Sequence, residues 1–221
     1  MLKAILFDLD GTLVNSLEDL ADATNLALST HGFPTHDVED YKYFIGNGMQ
    51  NLIEVTLPEN SRDDATRQKV FETFYEHYSN HFVDKTKAYD GIKEVLLSLK
   101  EQGYKLAVIS NKIQVMTSIV VDKSVGNVFD AVYGKREGYL PKPDPALTLE
   151  VIRELGVKPE NCVLIGDSGM DAATSVNVGC ECIGALWGFR TEEELRRNGA
   201  RYIAKEPAEI LERIKEIENA L

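Results

Sequence analysis

The sequence has little cysteine. Only three of its 221 residues are cysteines, Cys162, Cys180 and Cys182. An odd number of thiols, two of them separated by a single residue, argues against a disulfide framework and favours a reducing compartment. We expect these side chains to be small apolar core residues and not half of a thiolate metal site.

Long apolar runs and an excess of positive charge are also missing. The chain has no apolar run of about 18 residues and no recognisable signal peptide, which predicts a cytoplasmic protein without a membrane span. Its 36 acidic and 24 basic residues give a net charge of −12. Such a chain would repel a nucleic-acid backbone and an anionic membrane. Any anionic substrate must therefore be held by local cations, and we expect a small-molecule partner.

Several catalytic patterns are absent as well. No Gly-x-x-x-x-Gly-Lys-Ser/Thr sequence occurs, which excludes a phosphate-binding P-loop. Residues 166–169, Gly-Asp-Ser-Gly, are similar to the serine motif of serine hydrolases, but those enzymes need a histidine base. No histidine follows His81. His77 and His81 have a spacing that can hold zinc on a helix, yet a third ligand is not evident, and an ordinary helix face is expected.

What the sequence does contain is a series of short apolar runs, each followed by a turn and an amphipathic stretch. The runs are residues 4–7, 106–109, 129–133, 163–165, 182–185 and, more weakly, 202–203. The amphipathic stretches are residues 92–99, 115–121, 146–155 and 171–178. Short apolar runs are typical of buried parallel strands, and their alternation with helices predicts a doubly wound, Rossmann-like α/β sheet.

The first two apolar runs are far apart. Nearly a hundred residues separate them, whereas a crossover helix needs about a dozen. Residues 17–28 and 49–57 have helical apolar spacing, and this interval holds no convincing strand. One helical face is indicated by Val70, Phe71, Phe74, Tyr75, Tyr78 and Phe82. We therefore predict an α/β core of residues 1–14 and 87–221, an inserted all-helical domain of residues 15–86, and a final helix over 207–221.

Polar residues cluster just after the predicted strands. They are Asp8, Asp10, Ser110, Asn111, Lys142, Asp167 and Asp171. Each has an ordinary interpretation alone, such as a helix cap or a surface lysine. Parallel strands, however, bring their carboxyl ends to one edge of the sheet, where ligands bind. Two carboxylates 4 Å apart repel by about 4 kcal/mol at an effective dielectric near 20, so these aspartates need a cation. An oxygen-only ligand set favours Mg²⁺.

These residues, in this order, resemble the four motifs of the haloacid dehalogenase superfamily. The motifs are Asp8-Leu9-Asp10-Gly11-Thr12-Leu13, Ser110-Asn111, Lys142-Pro143, and Gly166-Asp167 with Asp171. The resemblance covers essentially the whole chain, and the inserted helices are similar to the small helical cap of that superfamily. Within it, Gly46, Asn47 and Gly48 resemble a cap segment of phosphoglycolate phosphatases.

The resemblance implies a role for each residue. Asp8 would be the nucleophile that forms an aspartyl-phosphate, and Asp10 the general acid and base. Mg²⁺ would be held by Asp8, the Asp10 carbonyl and Asp167, with Asp171 orienting its waters.

The resemblance also implies which residues bind the phosphoryl group of the substrate. Ser110, the Asn111 amide and Lys142 would bind its remaining oxygens. Gly46, Asn47 and Gly48 would contribute to substrate specificity.

The expected activity is hydrolysis of a small phosphorylated metabolite, with 2-phosphoglycolate favoured. Dehalogenases of the superfamily lack the second aspartate, which is present here as Asp10. Similar mutases usually carry a histidine where this chain has Leu20. Sugar-phosphate phosphatase or mutase, nucleotidase and pyrophosphatase activities remain alternatives. A non-catalytic phospho-acceptor or partner-binding module is the alternative of a different class. A monomer or homodimer is expected.

Overall fold

The computed structural model describes residues 1–220, and the chain divides into two compact units. The first unit consists of Met1–Asn15 and Ala88–Leu221, and the second of Ser16–Lys87. The second unit is therefore an insertion near the N-terminus of the first.

A six-stranded parallel sheet forms the centre of the first unit. The strands of the chain are β1 (Ala4–Phe7), β2 (Val14–Asn15), β3 (Lys87–Ala88), β4 (Lys105–Ile113), β5 (Ala131–Lys135), β6 (Cys162–Gly166), β7 (Glu181–Ala185) and β8 (Tyr202–Ala204). The order in the sheet is β5-β4-β1-β6-β7-β8, and every neighbouring pair is parallel. This confirms the predicted doubly wound α/β fold. The strand order reverses at β1, the point where such sheets bind ligands.

The flanking helices of the first unit follow the predicted pattern, apart from one short helix over residues 192–197 that was not predicted. They are α5 (Ile92–Glu101), α6 (Gln114–Val125), α7 (Ala146–Glu154), α8 (Gly169–Val178), α9 (Glu192–Arg197) and α10 (Ile210–Ala220). Helix α10 follows a short 3-10 turn, Pro207–Glu209, and buries Ile210, Ile214 and Ile217. Residue 221, the last of the predicted helix, lies outside the described residues.

Strands β1 and β6 lie at the middle of the sheet and are buried along their whole length. Their uninterrupted apolar sequences fit this position, because a central parallel strand has both faces covered. Cys162 and Cys182 lie in this sheet, and burial raises the pKa of each thiol to about 12. Both cysteines thus pack as small apolar residues, as predicted, and Cys180 is partly buried against the same core.

The second unit is helical. Its helices are α1 (Leu17–Thr30), α2 (Tyr41–Phe44), α3 (Met49–Thr56) and α4 (Asp64–His81). The buried stripe of α4 is Val70, Phe74 and Tyr78, which are four residues apart and lie on one face. Phe71 and Tyr75 flank this stripe, and Tyr75 is 40% exposed. The predicted apolar face was therefore too wide.

Two other expectations about the strands were wrong. The interval between the first two runs does contain strands, β2 and β3, which pair with each other. Each has only two residues, too few to produce a recognisable alternation in the sequence. In addition, β4 extends to Ile113, four residues beyond its predicted end at Ile109, and its register against β5 shifts between those two residues. Along the described part of the chain, none of the helices has the length and apolar character needed to cross a membrane.

Candidate active site

The ends of β1 and β6 bring three carboxylates together. Asp8 directly follows β1, and its N–H donates to the carbonyl of Ile165 on β6 at 2.9 Å. Asp167 directly follows β6, and Asp171 lies in the first turn of α8. One oxygen from each of Asp8, Asp167 and Asp171 lies within 4.8 Å of the other two. Among residues 1–220 no other group of three acidic, histidine or cysteine side chains has this spacing.

Asp167 is fixed by neighbours on two loops. Its Oδ1 accepts a hydrogen bond from the Thr12 hydroxyl at 3.0 Å, and its Oδ2 accepts one from the N–H of Phe189 at 2.8 Å. Burial, together with the negative charge of Asp171, raises the pKa of Asp167 to about 7 despite these hydrogen bonds. A bound cation would favour the ionised form of this carboxyl.

Lys142 joins two of the carboxylates. Its Nζ lies 2.8 Å from Oδ1 of Asp8 and 2.5 Å from Oδ1 of Asp171. Burial alone would lower the pKa of Lys142, but the two carboxylates outweigh burial and raise it. Burial and Asp171 raise the pKa of Asp8, and Lys142 opposes this only in part. The other oxygen of Asp171 accepts from the N–H and hydroxyl of Ser168 at 3.1 and 2.6 Å.

Ser110 and Asn111 lie on β4 beside this group. Asn111 is hydrogen-bonded to the main chain of Lys142, since its Oδ1 accepts from the Lys142 N–H at 2.8 Å and its Nδ2 donates to the Lys142 carbonyl at 3.4 Å. The Asn111 side chain therefore positions the Lys142 segment. The Ser110 hydroxyl accepts from the N–H of Lys112 at 3.1 Å, and Ser110 is 3% exposed.

The Asp10 carboxylate has a different neighbour, Lys112, to which the sequence interpretation assigned no role. The Nζ of Lys112 lies 3.0 Å from Oδ1 and 3.1 Å from Oδ2 of Asp10. Lys112 directly follows Ser110-Asn111, and this adjacency to a motif was the available signal. Asp10 does not belong to the group of three carboxylates described above.

The loop after β7 was also missed. The Trp187 indole N–H donates to the Thr12 carbonyl at 2.9 Å, and the Phe189 N–H reaches Asp167. Gly11 has a φ of 87°, and a β-carbon on it would lie 2.3 Å from an oxygen of Asp167. The loop contacts the site through the Trp187 indole and the Phe189 main chain, and the charge of Arg190 on the same loop favours the ionised form of Asp167.

The site has more negatively charged groups than positively charged groups to pair with them. The four carboxylates of Asp8, Asp10, Asp167 and Asp171 outnumber the two ammonium groups that pair with them, those of Lys112 and Lys142, and Arg190, whose charge also acts on Asp167, is itself paired with Glu194. When all are ionised, two negative charges remain. A divalent cation would balance them, and the three clustered carboxylates could supply its ligands.

The other predicted positions lie in the second unit. Gly46, Asn47 and Gly48 connect α2 to α3, and the two glycines have φ values of 129° and 84°. The His77 and His81 rings stack with centroids 4.3 Å apart. His81 also contacts Asp84, with Nδ1 2.7 Å from a carboxylate oxygen, but these side chains do not form a group with metal-ligand spacing.

Comparison with known proteins identifies the family. The sequence model of the family of haloacid dehalogenase-like hydrolases matches residues 5–185. The chain belongs to this family. The predicted superfamily and the prediction of a hydrolytic enzyme are thereby confirmed.

Curated relatives and solved structures cover most of the chain. A phosphoglycolate phosphatase of Aquifex aeolicus is 33% identical over 189 residues, 85% of this chain and 86% of that protein. One from Haemophilus influenzae is 30% identical over 95% of this chain and 96% of its own. The crystal structure of a predicted phosphoglycolate phosphatase from Haemophilus somnus matches with a TM-score of 0.87 and 28% identity, over 96% of this chain and 98% of that one.

Proposed function

We propose that this hydrolase is a Mg²⁺-dependent phosphatase that removes the phosphoryl group of a small metabolite through an aspartyl-phosphate on Asp8. One observation carries the proposal: Asp8 lies against Asp167 and Asp171 on one side and 2.8 Å from the ammonium of Lys142. A carboxylate nucleophile, a cation site and a fixed positive charge thus meet at the end of the central strand, where a phosphoryl group can be bound.

The donor set fits Mg²⁺. Asp8 and Asp167 would hold the ion with the Asp10 main-chain carbonyl, and Asp171 would orient its waters. Carboxylate and carbonyl oxygens are the ligands that this hard ion prefers. Bound there, Mg²⁺ would neutralise phosphoryl charge and lower the repulsion between the anionic nucleophile and the anionic substrate.

The reaction would proceed in two displacements. A carboxylate oxygen of Asp8 forms a bond to phosphorus, and the bond from phosphorus to the ester oxygen breaks with its electron pair. That oxygen takes a proton from Asp10 and leaves as the alcohol. The Asp10 carboxylate then takes a proton from water as the water attacks phosphorus. The bond to Asp8 breaks, which releases phosphate and restores the Asp8 carboxylate.

Positive charge and hydrogen-bond donors would stabilise the transferred group. Lys142 is buried and remains charged because its partners raise its pKa. Its ammonium and the Ser110 hydroxyl, with the Asn111 amide, would bind the phosphoryl oxygens on which transition-state charge collects. Since Asn111 also binds the main chain of Lys142, these residues would form one preorganised anion site.

The favoured substrate is 2-phosphoglycolate. Its support is the similarity to proteins named phosphoglycolate phosphatase and the Gly46-Asn47-Gly48 segment. Sugar phosphates, nucleoside monophosphates and pyrophosphate are the alternatives within the same chemistry.

A phosphate-release assay on a panel of these compounds, with and without Mg²⁺, tests the proposal. Continuous release that requires Mg²⁺ and is fastest with 2-phosphoglycolate is expected. Release that stops at one equivalent per chain would identify a phospho-acceptor, and no release from any compound would identify a partner-binding protein. Faster phosphate release from another compound of the panel would identify that compound as the better substrate and would leave the proposed mechanism unchanged.

A further inference from the structure

Lys112 forms a buried ion pair with both oxygens of Asp10. The two N–O distances are 3.0 and 3.1 Å, and the side chains of Lys112 and Asp10 are only 4% and 14% exposed. An ammonium placed symmetrically against both oxygens restricts rotation of the carboxyl group. The pair joins the loop after β1 to the far end of β4.

Stability is a weak explanation for such a pair. Removing two charges from water is costly, and a buried ion pair can often be replaced by apolar residues without loss. The site also has a clear division of its cations. Lys142 contacts Asp8 and Asp171, whereas Lys112 contacts both oxygens of Asp10. Lys112 is therefore placed to act on the Asp10 carboxyl group, which does not belong to the cluster of Asp8, Asp167 and Asp171.

We propose that Lys112 is a positioning residue that holds the Asp10 carboxyl where it can protonate the departing ester oxygen. This inference rests on the proposed phosphatase function. Acid catalysis depends on the acid being held within hydrogen-bond reach of the atom it protonates, and small displacements greatly reduce the rate. Without Lys112 the Asp10 side chain could take other rotamers, and the proton would be delivered less often as the bond to phosphorus breaks.

The register shift in β4 explains how Lys112 reaches Asp10. Regular pairing with β5 stops at Ile109 and resumes at Ile113, with Lys112 inside the shifted segment. Irregularities of this kind re-aim side chains near active sites. The same segment carries Ser110 and Asn111, so one irregular stretch would orient both the anion site and the acid.

The inference predicts a dependence on the leaving group. An alcohol needs a proton as it departs from phosphorus, whereas 4-nitrophenolate is stable as an anion and needs little help. Loss of a well-placed acid should therefore slow hydrolysis of an alkyl phosphate much more than hydrolysis of 4-nitrophenyl phosphate. A purely structural role of Lys112 would lower both rates by the same factor.

The experiment compares kcat/KM for the best alkyl phosphate of the panel and for 4-nitrophenyl phosphate in full-length variants. Lys112→Met should reduce kcat/KM for the alkyl phosphate by about 100-fold, which is within the usual contribution of a general acid. It should reduce kcat/KM for 4-nitrophenyl phosphate by less than about tenfold. The ratio of kcat/KM for the alkyl phosphate to kcat/KM for 4-nitrophenyl phosphate therefore falls in Lys112→Met. Lys112→Arg, which keeps the charge, should return this ratio most of the way to the wild-type value. In an Asp10→Asn background, Lys112→Met should leave the ratio unchanged.

Lys105→Met is the matched control. Lys105 begins the same strand, and its Nζ donates to the Leu155 carbonyl at 2.5 Å. This variant should keep the wild-type ratio. If Lys112→Met does not fold, Lys112→Gln provides the same comparison with a polar side chain of similar length.

Equal losses on both esters in a folded Lys112 variant would overturn the inference while leaving the phosphatase function intact. Absence of turnover in the unmodified enzyme would overturn the proposed function, and the inference with it.

Discussion

Gly188 lies so close to Asp167 that a β-carbon on the glycine would be 2.3 Å from the β-carbon of the aspartate. The same added atom would be 2.3 Å from the carbonyl oxygen of Gly11. The loop after β7 can therefore pass over Asp167 and donate the Phe189 N–H to it only because residue 188 has no side chain. Three separate chain segments are packed around one carboxylate.

Gly188→Ala is expected to displace Asp167 and weaken metal binding. Neither the Gly11 main chain nor the Asp167 β-carbon can move away without moving a loop, so the carboxylate must shift. We expect the Mg²⁺ concentration for half-maximal activity to rise by about tenfold or more, in line with the effects of disturbing the surroundings of a metal ligand. Titration of activity with Mg²⁺ measures this.

Gly184→Ala is the control for Gly188→Ala. A β-carbon at Gly184 would crowd the ends of the Ile203 and Leu195 side chains, at 2.9 Å each, away from Asp167. It should lower stability and leave the Mg²⁺ requirement unchanged. An unchanged Mg²⁺ requirement in Gly188→Ala as well would show that the loop does not hold Asp167 in place for the metal.

The stabilisation of the protein by Mg²⁺ should increase with pH. Burial and the negative charge of Asp171 raise the folded-state pKa of Asp167 to about 7, above the 3.8 that is usual for an aspartate. Its contribution to the stability of the metal-free protein is complete below about pH 4 and is lost as the pH rises through 7. A cation can replace the proton, so the Mg²⁺-induced rise in Tm should be small at about pH 5 and larger at about pH 8. Thermal melts with and without Mg²⁺ provide the measurement.

Asp167→Asn is the corresponding control for the thermal melts. Without the carboxylate, the Mg²⁺-induced shift should be small at both pH values. A shift of equal size at both pH values in the unmodified protein would mean that the cation does not compete with protons at this group.

Within the second unit, Asp19 is expected to be important for stability. This aspartate is 5% exposed, and its oxygens accept from the N–H of Lys85 at 3.0 Å and from the N–H and hydroxyl of Thr86 at 2.8 and 2.7 Å. Asp19→Ala leaves these donors without their acceptor and should cost about 2 to 3 kcal/mol in the free energy of unfolding. Urea denaturation gives the value.

Asp22→Ala is a close comparison for Asp19→Ala. Asp22 lies three residues after Asp19 in α1 and forms an exposed ion pair with the Lys85 ammonium at 2.7 Å. Exposed pairs contribute about 0 to 1 kcal/mol, so this variant should be nearly as stable as the parent. Similar losses from both substitutions would contradict the importance assigned to the buried hydrogen bonds.

The parts of the site that the sequence predicted are those carried by regular structure. Asp8 and Asp167 each follow a buried apolar strand, and parallel pairing of β1 with β6 places the two carboxylates side by side. Asp171 lies in the first turn of the next helix. Strand periodicity and chain order are enough to bring these three residues together.

The parts that the sequence did not predict depend on irregular structure. The contact between Lys112 and Asp10 joins residues 102 positions apart through a strand whose register shifts. The Phe189 donor belongs to the main chain, which every residue has, so no pattern of side chains marks it. Pairings of this kind follow from the exact path of the loops, and residue types alone do not determine that path.

The most direct test of the central claim is to locate the phosphoryl group during turnover. A substrate with a radiolabelled phosphoryl group is mixed with the Mg²⁺-loaded enzyme, quenched with acid within one turnover, and the labelled peptide is identified. With labelled 4-nitrophenyl phosphate, whose leaving group needs little acid, the account predicts label on Asp8 and none in Asp8→Asn. It predicts more label in Asp10→Asn, because hydrolysis of the intermediate loses its general base while its formation is little affected. Label on any other residue would contradict the account. Phosphate release by the unmodified enzyme would also contradict the account if neither that enzyme nor Asp10→Asn becomes labelled.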